Sequence, residues 1–464
     1  MVSDANEGSE IYTLIKMKYS NYVYRCTSVA AIGGLLFGYD TAVIAGAIGF
    51  MQLKYALSPG MMGWIASCAL IGCVFGAIIA GIISDRIGRK KVLMVSGLLF
   101  AISSIGILIP LNLICFVIFR LIGGLGIGIA SMVVPMYISE IAPPAVRGRL
   151  ISINQLGIVI GILVIFFVNA YIASLHSDGW TIAVGWRYMF GSGGIPAIAF
   201  ILLLFFVPES PRWLAQKNLW TEAAAVLNKL NSPETANAEL DAIRESMTGE
   251  TGSFSELWSP RLRMVTIIGI ALASFSQITG INAVMYYAPE IFKAAGDGVQ
   301  SALLQTILVG VVNIISTIVA IVYVDKLGRK LMLLIGSAGM AIFLALIGIF
   351  FFAGMTRGYW VIVAILGYVS FFGISLGPLT FVVVAEIFPN RVRAKAISIA
   401  ILCLWVSTFI VSLVFPALLK FFGGAYTFWL FMILSILTFL FIWKKLPETK
   451  GKTLEEIERY WSNG

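Results

Sequence analysis

Charged residues are scarce in this chain of 464 residues, because Asp, Glu, Lys and Arg together make up only 12% of it. Soluble domains carry about twice that share. Histidine is represented by His176 alone, in a short polar loop, and the five cysteines show no metal-ligand spacing. There is no nucleophile–base pair, and Gly123–Gly128 (GGLGIG) lies inside an apolar run, where it favours helix packing. These absences predict a protein that is not an enzyme and needs no cofactor or metal.

Apolar residues make up 59% of the chain, and the mean hydropathy is +0.95. A run of about 20 apolar residues crosses a bilayer as a helix. Acidic residues precede the first run, at Asp4, Glu7 and Glu10, so we expect a retained span rather than a cleaved leader. We predict twelve spans, near residues 22–46, 62–83, 92–110, 113–136, 150–173, 186–207, 263–288, 302–324, 331–353, 359–384, 397–418 and 425–444.

Basic residues concentrate in the loops that follow the second, fourth, eighth and tenth spans. By the positive-inside rule, this pattern predicts a multi-pass protein of the plasma (inner) membrane with both termini in the cytoplasm. The net charge of +9 is spread over these short loops, so no nucleic-acid surface is expected.

A polar stretch of short helical patterns separates the sixth and seventh spans, and it is too short for a catalytic domain. We interpret it as a cytoplasmic helical linker between two bundles. The predicted division is 1–207 for the N-terminal six-helix bundle, 208–262 for the linker, 263–446 for the C-terminal six-helix bundle and 447–464 for a cytoplasmic tail.

Three motifs occur twice, in the same order and at offsets of 239–246 residues. The pairs are Asp85–Lys91 with Asp325–Lys330, Glu140–Arg149 with Glu386–Lys395, and Pro208–Ser210 with Pro447–Thr449. Such a repeat predicts two halves of six spans, an arrangement in which secondary transporters hold their substrate between the halves.

These motifs resemble the sugar porter family of the major facilitator superfamily, particularly its bacterial proton-coupled xylose and hexose symporters. Further motifs that carry the resemblance are Pro208–Trp213 (PESPRW), Gln277–Asn282 (QITGIN), Tyr286–Tyr287 and Pro447–Gly451 (PETKG). The resemblance covers nearly the whole chain. It implies an all-α membrane protein with the major facilitator fold, in which 12 transmembrane helices form two pseudo-symmetric halves joined by a cytoplasmic helical linker.

The function that the resemblance implies is import of a monosaccharide, such as xylose or glucose, with a proton by alternating access. An uncoupled facilitator for a sugar or a polyol such as inositol is the alternative, and a sugar sensor is a remote one. The expected partners are the sugar, the proton and the lipid bilayer, with the protein a monomer.

Charged side chains at the span ends can pair between the halves and hold one side closed. The resemblance implies a cytoplasmic gate network of ten residues: Asp85, Arg89, Glu140, Arg147, Glu209, Asp325, Arg329, Glu386, Arg393 and Glu448. The alternative is that the basic residues only set the topology, although topology needs no carboxylates.

Asp40 lies inside an apolar run, where a carboxylate costs about 2.5–3.5 kcal/mol to insert. Arg120 in the fourth span is the candidate partner. A carboxylate that alternates between protonated and paired forms can couple transport to a proton, and the resemblance implies this role for Asp40. The coupled xylose symporter carries a second acid where this chain has Gly193, so a static ion pair is the alternative.

Amides and aromatic rings suit a sugar site, because they meet hydroxyl groups and C–H faces respectively. Asn282 and Tyr286 share a helix face, and Gly280 makes a local break plausible. By resemblance, the substrate-binding residues are Phe37, Gln155, Gln277, Asn282, Tyr286, Asn313, Phe381 and Trp405. Hydrogen bonds between helices are the alternative role for each amide.

Several pocket groups of the family are replaced in this chain. The replacements stand at Ser276, Ile162, Phe381 and Leu404, where the resemblance leads one to expect amides or a tryptophan. A substrate that is smaller, less polar or differently held than xylose or glucose is therefore expected.

Overall fold

The computed structural model describes residues 21–109, 112–143, 146–248, 253–260, 262–296, 298–356 and 359–450. Residues 1–20 of the predicted N-terminal bundle and 451–464 of the predicted tail lie outside the described residues. The long helices of the first half are α1 Asn21–Tyr55, α2 Pro59–Ile87, α3 Arg89–Leu108, α4 Leu113–Ile141, α5 Arg147–Leu175 and the segmented α6 Asp178–Leu204. Between the halves lie α7 Pro211–Gln216, α8 Trp220–Leu230, α9 Pro233–Thr248 and a 3₁₀ turn at Ser255–Trp258. The second half contains α10 Arg263–Ile278, α11 Ile281–Ala294, α12 Val299–Leu327, α13 Arg329–Phe352, α14 Trp360–Gly373, α15 Leu376–Ile387 and α16 Asn390–Lys445.

Eleven helical stretches in the described residues are long and apolar enough to cross a membrane. The last of them, α16, corresponds to two predicted spans. Its 56 residues would reach about 84 Å as one straight helix, far more than the roughly 30 Å of a hydrocarbon core. Gly423 interrupts it with φ 76° and ψ 169°, a conformation that favours glycine. The twelve-span prediction is thereby confirmed.

The sixth span differs from its prediction. Its helical stretch begins at Asp178 rather than near residue 186, because the π-helical turn Thr181–Gly185 continues it toward the amino end. The stretch Asp178–Gly185 is less apolar than the rest of the span, so hydropathy alone placed it in a loop. The span is also interrupted at Ser192 and Gly193.

Glycines allow the helices of the first half to approach closely. A Cβ atom on Gly124 would overlap the carbonyl oxygen of Ala69, and one on Gly128 would overlap that of Cys73. The glycine-rich run of α4 therefore packs directly on α2, as predicted for small residues between membrane helices.

Each half packs mainly within itself. In the first half α1 packs on α5 and α2 on α4, and in the second half α10 and α13 both pack on α16. The halves meet where α1 contacts α11, α2 contacts α16 and α5 contacts α12. A site between the halves is therefore lined by these six helices.

Candidate functional site

A buried ion pair lies in the first half. Arg120 Nη1 of α4 is 2.8 Å from Asp40 Oδ2 of α1, and Arg120 Nη2 donates to the Asp40 carbonyl oxygen at 3.2 Å. Asp40 is 8% exposed and Arg120 1%. The guanidinium also lies over the Phe190 ring, 5.1 Å from its centroid. The predicted partnership of Asp40 and Arg120 is confirmed as a contact.

One atom of this arginine has no partner. Arg120 Nε is buried and makes no hydrogen bond among the described residues. A Cβ atom on Gly193 would lie 2.9 Å from Ser104 Oγ and 3.5 Å from the ring of Tyr39, the neighbour of Asp40. Among the residues that the structure describes, Asp40 is the carboxylate that pairs with the buried arginine.

A break in the seventh span lies in the second half. Helix α10 ends at Ile278 and α11 begins at Ile281, with Gly280 between them at φ 95°. This confirms the break predicted at Gly280. The carbonyl oxygen of Thr279, which the break frees, accepts a hydrogen bond of 3.0 Å from the Tyr368 hydroxyl of α14.

Polar side chains gather around this break. Asn282 Nδ2 donates to Gln277 Oε1 at 2.5 Å. Thr408 Oγ1 of α16 donates to the Leu404 carbonyl oxygen of its own helix at 2.8 Å and lies 3.2 Å from Gln277 Oε1. Gln277 Nε2 donates to Ser276 Oγ at 2.9 Å. The structure thus joins two predicted site residues, Gln277 and Asn282, with two that sequence reasoning did not assign, Ser276 and Thr408. Their positions beside Gln277 and three residues after Trp405 are the signals that could have found them.

Aromatic side chains connect the two halves. The Phe37 ring of α1 lies 5.4 Å from the Trp405 ring of α16, with the planes tilted by 49°. Trp405 is 3% exposed, and its Nε1 has no partner among the described residues. Tyr286 of α11 is buried and lies within electrostatic reach of both Asp40 and Arg120. The ion pair and the second half's polar cluster therefore flank one region.

The other predicted site residues have different surroundings. Asn313 of α12 is 5% exposed and lies close to Gly373 of α14. Gln155 of α5 is half-buried, whereas Phe381 of α15 is 43% exposed. None of the three forms a hydrogen bond with the Gln277 cluster within the described ranges.

The predicted gate residues form two clusters, one in each half. In the first, Arg89 contacts Glu140 (Nε–Oε2, 2.9 Å) and Asp85 (Nη1–Oδ1, 3.0 Å), and Glu209 accepts from the Arg89 and Lys90 amides. In the second, Arg329 Nη2 lies 3.0 Å from Glu386 Oε1 and 2.9 Å from Asp325 Oδ1. Glu448 accepts from the Arg329 and Lys330 amides. The sequence repeat is therefore also a repeat of contacts. We call the end of the bundle that bears both clusters the charged end.

The last two predicted gate residues lie outside the ion pairs of these clusters. Arg393 donates to the Phe388 carbonyl oxygen at 3.3 Å. Arg147 interacts electrostatically with Glu239 of α9, which also accepts a 2.8 Å hydrogen bond from Asn231. Burial raises the pKa of Glu239, while Arg147 and Asn231 act in the opposite direction. Arg147 thus connects the short helices to the first half.

At the opposite end the two halves touch. The Tyr287 hydroxyl of α11 donates to the Ser412 carbonyl oxygen at 3.0 Å and lies 3.4 Å from that of Met62. A Cβ atom on Gly63 would overlap the Leu413 carbonyl oxygen. Arg89 and Arg329, in contrast, make their ion pairs within their own halves. The halves are therefore in close backbone contact at this end, whereas the arginine ion pairs at the charged end stay within each half.

Comparison with known sequences gives matches along nearly the whole chain. A family model described as "Sugar (and other) transporter" matches residues 26–461. An arabinose-proton symporter of Bacillus subtilis is 46% identical over 441 residues, which cover 95% of each chain. A D-xylose-proton symporter of Escherichia coli is 40% identical over 480 residues, covering 95% of this chain and 96% of that one.

Solved structures of the xylose transporter of E. coli share the fold. Its inward-open conformation gives a TM-score of 0.84 at 39% identity and covers 95% of this chain and 100% of that one. The same transporter bound to 6-bromo-6-deoxy-D-glucose gives a TM-score of 0.80 at 39% identity, with 95% and 99% covered.

Proposed function

Because the chain belongs to the sugar transporter family, we propose that it imports a monosaccharide together with a proton by alternating access, and that the sugar is a pentose. The observation that carries the proposal is the buried pair of Asp40 and Arg120, with Tyr286 of the other half within its electrostatic reach. The names of the arabinose and xylose symporters support a pentose.

In this proposal the charged end is the cytoplasmic end and is the open side of the transporter. Both termini then lie in the cytoplasm of a protein that spans the plasma membrane as a monomer, with the chain divided as the sequence predicts. The similarity to an inward-open relative supports this orientation, as do the basic loops at this end.

Asp40 carries the proton in the proposed cycle. When ionised, it balances the Arg120 charge that α4 buries. When protonated from outside, it loses most of its attraction for Arg120, and the two helices that hold the pair, α1 and α4, are released from each other. Opening of the cytoplasmic side exposes the carboxyl group, and the proton leaves.

Gln155, Gln277, Asn282 and Asn313 bind the sugar hydroxyl groups, while Phe37, Tyr286, Phe381 and Trp405 meet its carbon faces. The gate network acts differently in the two states. Its ion pairs within each half stabilise the open cytoplasmic side, and the same charges pair between the halves when that side closes.

Uptake of radiolabelled L-arabinose, D-xylose, D-glucose and inositol into proteoliposomes tests the function, with and without an imposed pH gradient. We expect pentose accumulation that requires the gradient. For Asp40→Asn we expect sugar exchange at no less than about a third of the wild-type rate and no accumulation, because a neutral side chain cannot release a proton. Accumulation by the wild type that ignores the pH gradient would refute proton coupling.

A further inference from the structure

We propose that Ser103 of α3 is a positioning residue for Asp40, and that its hydroxyl group holds a water molecule between the Asp40 carboxyl group and Arg120. The inference deepens the proposed function and rests on it. Ser103 is 0% exposed, and its hydroxyl oxygen makes no hydrogen bond among the residues that the structure describes. A buried hydroxyl group without a partner is costly, so a native protein rarely leaves one there without a use.

Ser103 lies close to the Asp40 carboxyl group. A Cβ atom on Gly123 would lie 2.6 Å from Ser103 Oγ and 3.6 Å from Asp40 Oδ2. Both oxygens therefore border the same small space beside Gly123, and they form no direct hydrogen bond. One water molecule spans two oxygens that lie up to about 5.5 Å apart, because each of its hydrogen bonds is about 2.8 Å long.

Arg120 offers a second group that needs a partner. Its Nη1 and Nη2 atoms bond to the carboxylate and the carbonyl oxygen of Asp40, whereas its Nε is buried and unpartnered among the described residues. Arg120 and Gly123 are three residues apart and share a face of α4. A buried water typically makes about three hydrogen bonds to polar groups that otherwise lack partners. Ser103 Oγ and Arg120 Nε are two such groups, and the Asp40 carboxylate is the third partner.

The water stabilises one protonation state of Asp40. It accepts a hydrogen bond from Arg120 Nε and donates one to the ionised carboxylate, and Ser103 holds it in place. A hydrogen bond to the charged form of a carboxyl group favours that form. Ser103 thus helps Asp40 to give up its proton.

Other charged and titratable groups act on the Asp40 carboxyl group from the helices packed around it. They are Arg120 of α4, Cys68 and Cys73 of α2, and Tyr286 of α11. All of them are retained when the Ser103 hydroxyl group is removed. A change in the pH dependence of uptake is then assigned to the hydroxyl group and the water that it holds.

The first test compares Ser103→Ala with Ser96→Ala, using pH profiles of sugar uptake into proteoliposomes. Without the Ser103 hydroxyl group the ionised form of Asp40 is less stabilised. The midpoint of uptake should therefore move to higher external pH by about half to one unit, while sugar exchange is retained. Ser96 is the matched control, because it is equally buried on the same helix and donates to the Gly126 carbonyl oxygen at 2.9 Å. Its loss should lower the melting temperature and leave the midpoint in place.

The second test reaches the same water from α4. In Gly123→Ala the added Cβ fills the space between Ser103 Oγ and Asp40 Oδ2, so the midpoint should move in the same direction as in Ser103→Ala. The double variant should shift no further than either single variant, because both changes remove one water. Gly126→Ala is the control, since its Cβ would crowd α3 at Ser96 and Leu99 instead.

The third test is a high-resolution crystal structure of the wild type, which should show an ordered water within hydrogen-bonding distance of Ser103 Oγ and Arg120 Nε. Absence of that water overturns the inference. So does a midpoint for Ser103→Ala that equals that of Ser96→Ala, or a double variant whose shift is the sum of the single shifts. Failure of the proposed function is a separate result, since the wild type would then accumulate no sugar in response to a pH gradient.

Discussion

At the residue scale, the groups around the buried Arg120 determine how its positive charge is compensated. Asp40 supplies the carboxylate and Phe190 an aromatic face, while Nε is unpartnered among the described residues. When Asp40 is protonated, the buried cation has no carboxylate partner in this structure, and a lone buried charge is costly.

Gly193→Glu should shift the pH dependence of uptake. A carboxylate added at Gly193, beside Tyr39 and so close to Asp40, disfavours a second negative charge on Asp40. Uptake should therefore persist to higher external pH by on the order of one pH unit. A pH profile of initial uptake rates measures the shift. Gly193→Gln has the same size without the charge and should leave the midpoint in place; an equal shift in both variants would show a steric effect instead.

At the element scale, hydropathy predicted the helices, but only some of their interruptions could be predicted from the sequence. Gly280 indicated the break between α10 and α11, because glycine adopts φ 95° at no steric cost. The break before Leu376 could not be predicted in this way. Ile374 and Ser375, which lie between the two helices, carry ordinary side chains, and the surrounding packing determines their conformation. The ion pair of Asp40 was predictable because buried charges require partners. The bonds of Thr408 were not, because they depend on where α16 meets α10.

Gly280→Ala should destabilise the second half. A left-handed conformation costs a residue with a side chain roughly 1–2 kcal/mol, and a Cβ here would meet the Phe431 ring at 2.8 Å. We expect a lower melting temperature in detergent and at least about a twofold lower uptake rate. Gly298→Ala is the control, because nothing lies within 4 Å of its added Cβ and its φ is −72°. Equal stability of the two variants would contradict the argument.

At the scale of the whole molecule, the two ends of the bundle are held by different forces. The end opposite the charged one closes by backbone contact, where Gly63 lies against Leu413 and Tyr287 reaches Ser412. Close approach of this kind depends on small side chains and is all-or-none. The state with that end closed is therefore sensitive to bulk added at Gly63.

Gly63→Trp should hold that end open. We expect uptake to fall roughly tenfold or more while sugar binding to the purified protein stays within about threefold of wild type, because the bulk prevents closure without touching the sugar site. Binding by calorimetry and uptake in proteoliposomes measure the two effects. Gly60→Trp, in open space on the same helix, should transport normally. Parallel loss of binding and uptake in Gly63→Trp would indicate misfolding.

The pairing of Arg89 and Arg329 within their own halves has a consequence for how the protein can be assembled. Each arginine, its carboxylate partners and the backbone amides that Glu209 and Glu448 cap belong to one half. A polypeptide interrupted between Thr248 and Ser253 would leave both sets whole, one on each fragment. Two separately translated pieces should then dock through α1, α2 and α5 on α11, α16 and α12, as two subunits of a heterodimer do.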